Sequence, residues 1–170
     1  MSQPMKHLME PMMIGRVKIK NRFAMAPMAI GSYITPEGEF TKDGIDYFVR
    51  RAQGGFGLLF IGAMACDKEV DPDVRFCANP NKDPAAFRAT SLELNRRANA
   101  YGAKVFAQMT MGLGRNYPGC VAPSAVPTYG MPDVIAPEIT VEQIHRKIEI
   151  YADTCKLIQD CGYAGVDVHA

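Results

Sequence analysis

The chain has 170 residues, enough for one domain with a sizeable core, and its 48% hydrophobic and 22% charged residues are those of an ordinary globular protein. With 19 basic against 18 acidic side chains the net charge is +1, which removes any electrostatic case for nucleic acid or an anionic membrane as partner. No apolar run reaches the length of a bilayer span, and Met1 to Glu10 lacks the apolar core of a secretory signal, so a cytoplasmic location is expected.

The five cysteines, Cys66, Cys77, Cys120, Cys155 and Cys161, contain no C-x-x-C pair. An odd, widely spaced set argues against a disulfide framework and a structural zinc site. Cys155 and Cys161 read as small buried residues on and just past a helix.

Met12 to Arg22 alternates apolar and basic residues around Gly15, the pattern of a short hairpin with one wet face. Phe23 to Met28 is an apolar run around Pro27 and reads as a strand buried on both faces. After a polar loop from Gly31 to Phe40, Thr41 is placed to cap a helix over Lys42 to Gln53, with Ile45, Phe48, Val49 and Ala52 inward and Gly54-Gly55 as its stop. Phe56 to Ala63 is a second buried strand, followed by a loop from Cys66 to Pro84. The spacing predicts a helix from Ala85 to Tyr101 with Phe87, Leu92, Leu94 and Ala98 in the core, then a third strand from Lys104 to Thr110.

Met111 to Pro137 holds five of the twelve prolines and four of the fifteen glycines and reads as a long irregular loop, a length that usually carries function. Thr140 and Gln143 have the spacing of a capping box for the next helix, whose expected apolar face is Ile144, Ile148, Tyr151, Cys155 and Ile158. Gly165 to His169 supplies a fourth strand. Four buried-type strands alternating with three helices indicate a parallel α/β sheet, either an open doubly wound sheet or half of a β/α barrel.

In either fold chemistry gathers where strands end. Those ends carry Ala26-Pro27-Met28, Gly62-Ala63, Gln108 and His169. Small residues and Pro admit a flat ring, an amide both donates and accepts, and a neutral imidazole can donate to a developing enolate oxygen. The sequence offers no Ser or Cys nucleophile beside a base, no carboxylate pair and no metal-ligand spacing. Taken alone, His169 reads more often as a satisfied core histidine, and Gln108 equally as a cap for nearby backbone groups. Gly112-x-Gly114-Arg115 lacks the third glycine of a dinucleotide loop and fits a tight turn instead. His7 and His145 are expected in solvent, and Arg50-Arg51 at a helix's wet end.

Four segments, in order, resemble the NADH:flavin oxidoreductase family, whose members include Old Yellow Enzyme, 2,4-dienoyl-CoA reductase and 2-enoate reductase. They are the hairpin with Asn21-Arg22-Phe23-Ala24-Met25-Ala26-Pro27-Met28; Tyr47 to Ile61 with Arg50-Arg51-Ala52-Gln53-Gly54-Gly55; Gln108-Met109-Thr110-Met111-Gly112-Leu113-Gly114-Arg115; and Gly162 to Ala170. The Gln-x-Thr-x-Gly-x-Gly-Arg form is more similar to the enoate and dienoyl-CoA reductase branch.

The resemblance implies a (β/α)8 TIM barrel, with residues 1–170 as its N-terminal half: the hairpin and first four strands of a flavin-binding domain. It implies FMN as cofactor, with Pro27, Met28 and Ala29 along the ring, Ala63 at its edge and the Gln108 amide on its pyrimidine part. His169 matches the first member of a His/Asn or His/His pair that grips the carbonyl oxygen of an unsaturated substrate for hydride transfer from reduced FMN. NADH or NADPH is the implied reductant, and Arg115 is placed near the substrate mouth. The second member of the pair, a proton-donating Tyr, the flavin-phosphate loops, an iron–sulfur (4Fe-4S) cysteine cluster and an FAD- and pyridine-nucleotide-binding domain are expected beyond Ala170. Ala29 stands where some relatives carry a redox-tuning Cys, so modulation by that thiol is not expected. The implied partner is a small α,β-unsaturated carbonyl compound, with Tyr117, Tyr129 and Met131 shaping a roomy apolar pocket; an oligomer is compatible with the sequence. Two other readings use the same residues: a catalytically inactive half-barrel, and an open-sheet module binding small ligands or protein partners.

Overall fold

The structure is a computed structural model describing residues 6–67 and 69–169; Met1 to Met5, Lys68 and the motif-closing Ala170 lie outside the described residues. From the N-terminus the elements are helix α1 (Lys6–Met9), strands β1 (Met12–Ile14), β2 (Val17–Ile19) and β3 (Ala24–Met25), helix α2 (Lys42–Gln53), strand β4 (Leu58–Ala65), helix α3 (Pro84–Ala100) and strand β5 (Lys104–Thr110). A second hairpin of β6 (Val126–Thr128) and β7 (Met131–Ala136) follows, then helix α4 (Val141–Asp160) and strand β8 (Gly165–His169).

Local chemistry explains the helix starts. Thr41 accepts from the Gly44 N–H, Asp83 accepts from the Ala86 N–H ahead of Pro84, and Thr140 with Gln143 forms a complete capping box. Each satisfies backbone donors that a helix's first turn leaves open. The start of α3 at Pro84 uses a proline at the first helical position, where its missing N–H costs nothing.

Strands β3, β4, β5 and β8 form one parallel sheet in chain order, without the order reversal of a doubly wound sheet. One face packs Leu59, Ile61, Met64, Val105, Ala107 and Met109 against Phe48 and Ala52 of α2, Phe87, Leu94 and Ala98 of α3, and Ile158 of α4. Among the described residues the other face carries no helix. At its lower end Leu58, Phe60 and Phe106 pack on Ile14, Val17 and Ile19 of the first hairpin, with the Phe60 and Phe106 rings 5.6 Å apart at 79°. Helices on one side and a plugged lower end on the other make this part of a β/α barrel, with the C-terminal strand tips as the open end.

Several expected features differ. The first strand is short, Ala24–Met25, and pairs with β4; Phe23, expected in the core, is 37% exposed. The second strand is shifted two residues along the chain, to Leu58–Ala65. The stretch read as an irregular loop holds the β6–β7 hairpin, turned at Tyr129-Gly130 with Gly130 at φ 75°. Pro127 and Pro132 mask its alternation, and prolines are tolerated in such short edge strands. Leu92 of α3 is exposed, while Ser91 and Asn95 take the inward positions through bonds to the Tyr163 hydroxyl and the Cys161 carbonyl.

The largest difference is α4. Its buried residues are Lys147, Thr154 and Ile158, with Tyr151 and Cys155 half-buried beside them, and Ile144 and Ile148 stand exposed. The cause is a polar knot. Lys147 Nζ donates to Asp67 Oδ2 and Asp71 Oδ2, each at 2.6 Å, and to the Met111 carbonyl at 2.7 Å, with all three side chains at most 5% exposed. Asp67 also accepts the N–H groups of Glu69, Val70 and Asp71, and Asp71 Oδ1 accepts that of Val121. Thr154 receives Asn81 Nδ2 at 2.7 Å, and Tyr151 donates to the Met109 carbonyl. Burial on its own would raise the Asp67 carboxyl, but Lys147 and the backbone N–H groups outweigh it and hold its pKa below the ordinary value. Burial would likewise depress the Lys147 ammonium; its two carboxylates reverse that and raise it.

Because the folded pKa of Asp67 lies below the unfolded 3.8, its contribution is fully present above about pH 4 and is lost as pH falls through the folded value. Lys147→Met leaves two buried carboxylates without their cation and is expected to cost about 3–5 kcal/mol at pH 7 in urea unfolding. That deficit shrinks as the pH falls toward 4, because without Lys147 burial favours the protonated form of Asp67 in the variant; a pH-independent deficit would refute the ionic account. Gly112 adopts φ 151°, and a Cβ there would strike Asp71 Oδ2. Gly112→Ala is expected to lower stability by about 1–3 kcal/mol, seen as a lower thermal midpoint.

Candidate active site

Register partners on adjacent parallel strands point to the same face. Along the inner face of the sheet this stacks three rungs: Phe60, Phe106 and Gly165 at the bottom, Gln108 with Asp167 in the middle, and Thr110 with His169 at the top. The polar rungs therefore begin where the apolar plug ends.

The middle rung is shaped by an irregularity in β4. Ile61 pairs with Ala107 and Met64 with Met109, so Gly62 and Ala63 together face the single residue Gln108. This is a β-bulge, and the Gly62–Ala63 peptide is cis. Gly62 is required by contact, since a Cβ there would lie 2.7 Å from Gln108 Cβ. On its other side Gln108 donates from Nε2 to Asp167 Oδ2 at 2.9 Å, both side chains being half-buried.

Pro27, Met28 and Ala29 follow the tip of β3. Met28 and Ala29 line an apolar cleft shared with Gly62, Ala63, Tyr33, Ile34 and Phe76. His169 and Arg115, both exposed, line a second depression of about 450 Å³ with Thr110, Leu113, Val126, Ile139, Ile144 and Lys147. Thr110 Oγ1 bonds the Gly112 carbonyl at 2.7 Å and turns the chain from β5 toward Arg115. Met28, Ala29 and Ala63 thus share one depression and Arg115 and His169 another, while Pro27 and Gln108 line neither; Ala63, Gln108 and His169 lie on neighbouring strands. Four tips at roughly 4.8 Å spacing span about 14 Å, the scale of a small fused-ring molecule.

Tyr129 and Met131 do not shape this mouth. They are 74% and 48% exposed on the β6–β7 turn, because the hairpin directs Val126 rather than its tip toward the groove. Tyr117 stacks on Phe76 at 5.8 Å, over the loop that follows β4.

The thiols are unsuited to nucleophilic work. Burial pushes Cys66 up to about 12 and Cys77 and Cys161 up to about 11. Cys161 caps α4 in the core and Cys155 is half-buried, as their positions suggested. His7 and His145 are exposed, and Arg51 lies over the Tyr47 ring at 3.3 Å. Among the described residues no three His, Cys, Asp or Glu side chains converge as a metal cage, and no helix is long and apolar enough to cross a membrane.

Asp167 escaped sequence reasoning although a signal was present. Gly165-Val166-Asp167-Val168-His169 alternates, which puts Asp167 on the face of His169 and the valines on the other. Lys147 gave no such signal, since its partners lie 76 and 80 residues away.

The same fold occurs in an Old Yellow Enzyme homologue from Zymomonas mobilis, at TM-score 0.77 and 24% identity over 96% of this chain and 48% of that one. It also occurs in morphinone reductase in complex with tetrahydroNAD, at TM-score 0.78, 19% identity, 96% and 49%. In sequence the chain is 34% identical over 181 residues to a cinnamate reductase from Clostridium sporogenes, covering 100% of this chain and 27% of the relative. It is 25% identical to an NADPH dehydrogenase from Bacillus pumilus, covering 95% of this chain and 47% of the relative. The chain thus spans about a quarter to a half of the length of these proteins. Residues 7–170 match the family model described as NADH:flavin oxidoreductase / NADH oxidase, and on that match, together with the shared strand order and open tip, the chain belongs to this family.

Proposed function

We propose that the protein is an FMN-dependent oxidoreductase that reduces the C=C bond of an α,β-unsaturated carbonyl compound, with NADH or NADPH as reductant. The observation that carries the reading is the convergence of Ala63, Gln108 and His169 on adjoining strand tips. The residues present fit a flat ring. Ala29 and Ala63 are the smallest side chains with a Cβ, Gly62 has no space for one, and Gln108 is an amide held at half-burial beside them. Pro27, Met28 and Ala29 would hold one side of the ring, Ala63 its edge and Gln108 its pyrimidine part. Hydride acceptance from a reduced nicotinamide and hydride donation to a polarised C=C are what FMN supplies when bound.

The chain's own residues supply position and charge. His169 stands at the open end, where its imidazole N–H can donate to a substrate carbonyl oxygen and stabilise the enolate that develops there. Arg115 puts a permanent positive charge on the same groove, which favours substrates bearing a carboxylate. Thr110 and Leu113 complete a wall that keeps the rest of the substrate apolar.

Two outcomes test this reading in the full-length protein. His169→Ala is expected to lower kcat by about 10²–10³-fold on an enoate while flavin content stays at the wild-type level; unchanged turnover would remove His169 from the chemistry. Arg115→Gln is expected to raise KM a few-fold for a carboxylate-bearing enoate and to leave KM for a neutral enone unchanged, in parallel steady-state assays.

A further inference from the structure

We propose that Asp167 is a positioning residue that decides which end of the Gln108 amide faces the flavin; the inference rests on the FMN reading above. A glutamine amide carries an acceptor at one end and two donors at the other, and nothing in an isolated side chain selects between its two flips. Asp167 makes the selection. An ionised carboxylate only accepts, so the end facing Oδ2 at 2.9 Å must be Nε2. The bond crosses between register partners on neighbouring strands, so the two backbones hold the pair in place. From the opposite strand the bulge closes on Gln108, with Gly62 packed against its Cβ and backbone.

Gln108 therefore keeps Oε1 and one N–H for a ligand, in one plane and in one sense. That pair complements an imide edge, where an N–H sits beside a carbonyl. The pyrimidine part of a flavin has such an edge at N3–H, so Oε1 accepts that proton and the remaining amide N–H donates to the adjoining carbonyl. If Asp167 served only to tie β5 to β8, it would affect stability and leave the choice between ring edges alone.

The test separates these roles by a ratio of affinities. The full-length protein is stripped of flavin and titrated with FMN and with N3-methyl-FMN, which lacks the imide proton, following flavin fluorescence. Wild type is expected to favour FMN roughly five- to tenfold, the worth of one hydrogen bond. In Asp167→Asn the neighbour can donate or accept, both flips become available, and the preference falls toward unity. Asp167→Glu keeps an acceptor-only group and is expected to keep the preference. Should Asp167→Asn not fold, Asp167→Ser is read in the same way. A wild-type ratio in the Asn or Ser variant overturns this inference and leaves the FMN reading standing. Failure of the wild-type protein to bind FMN overturns both.

Discussion

One buried ammonium holds the upper half of this molecule together. Lys147 arrives on α4, Asp67 and Asp71 on the loop after β4, and the Met111 carbonyl and Val121 N–H on the segment after β5. The trio of side chains carries a net charge of −1, and the remaining negative charge is met by backbone N–H groups of Glu69, Val70, Asp71 and Val121. A buried ion cluster competes poorly with an apolar core on stability alone, since each ion must be stripped of water. What it does provide is direction. Apolar contacts would let two irregular segments slide, whereas three bonds from one Nζ fix both against the same helix.

That constraint reaches the candidate site through short connections. Asp67 lies two residues past the end of β4, the strand whose bulge faces Gln108. Met111 and Gly112 lie just past the end of β5, between Thr110 and Arg115. Asp71 and Lys147 are themselves in the wall of the groove that holds His169. The site is thus assembled on strand tips, which are rigid because the sheet and its lower plug are packed, and bounded by loops that would otherwise be free. Rigid tips with pinned loops suit a reaction in which a carbonyl oxygen and a ring must be held in fixed relation.

How much of this the sequence discloses depends on the range of the forces involved. Thr41 and Thr140 act within one helical turn, so cap spacing locates the starts of α2 and α4 to within a residue. Apolar runs place β4 and β5, whose residues are largely buried on both faces and need no alternation, whereas β8 alternates. The same rule misjudged Phe23, which lies just ahead of β3 and is 37% exposed. It also misjudged α4, where Ile144 and Ile148 satisfy helical periodicity yet the helix is turned by Lys147, whose reason for burial is a carboxylate 80 residues earlier. The bulge at Gly62-Ala63 was illegible for a related reason, being a property of register against β5 rather than of the β4 sequence. Of the candidate site, the placement of residues at strand ends was legible because position along a strand is local information. The link between Gln108 and Asp167 was not, because it needs two strands.

The rungs of the inner face also show where the sequence departs from its own pattern. Below, Phe60 and Phe106 fill the space as an interior should, and Gly165 is forced by the Phe106 ring, which leaves no space for a Cβ. One step higher stands Asp167, a carboxylate at half-burial whose side-chain partner is the neutral Gln108. A neutral amide offsets only part of the cost of removing a carboxylate from water. An apolar residue there would serve packing between β5 and β8 equally well and without that cost. A departure from local rules that brings no gain in stability marks positions selected for chemistry rather than for folding. In this sheet the departure falls one rung below His169, at the register partner of Gln108, which faces the bulge. The same local argument that explains Phe106 as structure therefore separates Asp167 from it, and assigns the middle rung to the site.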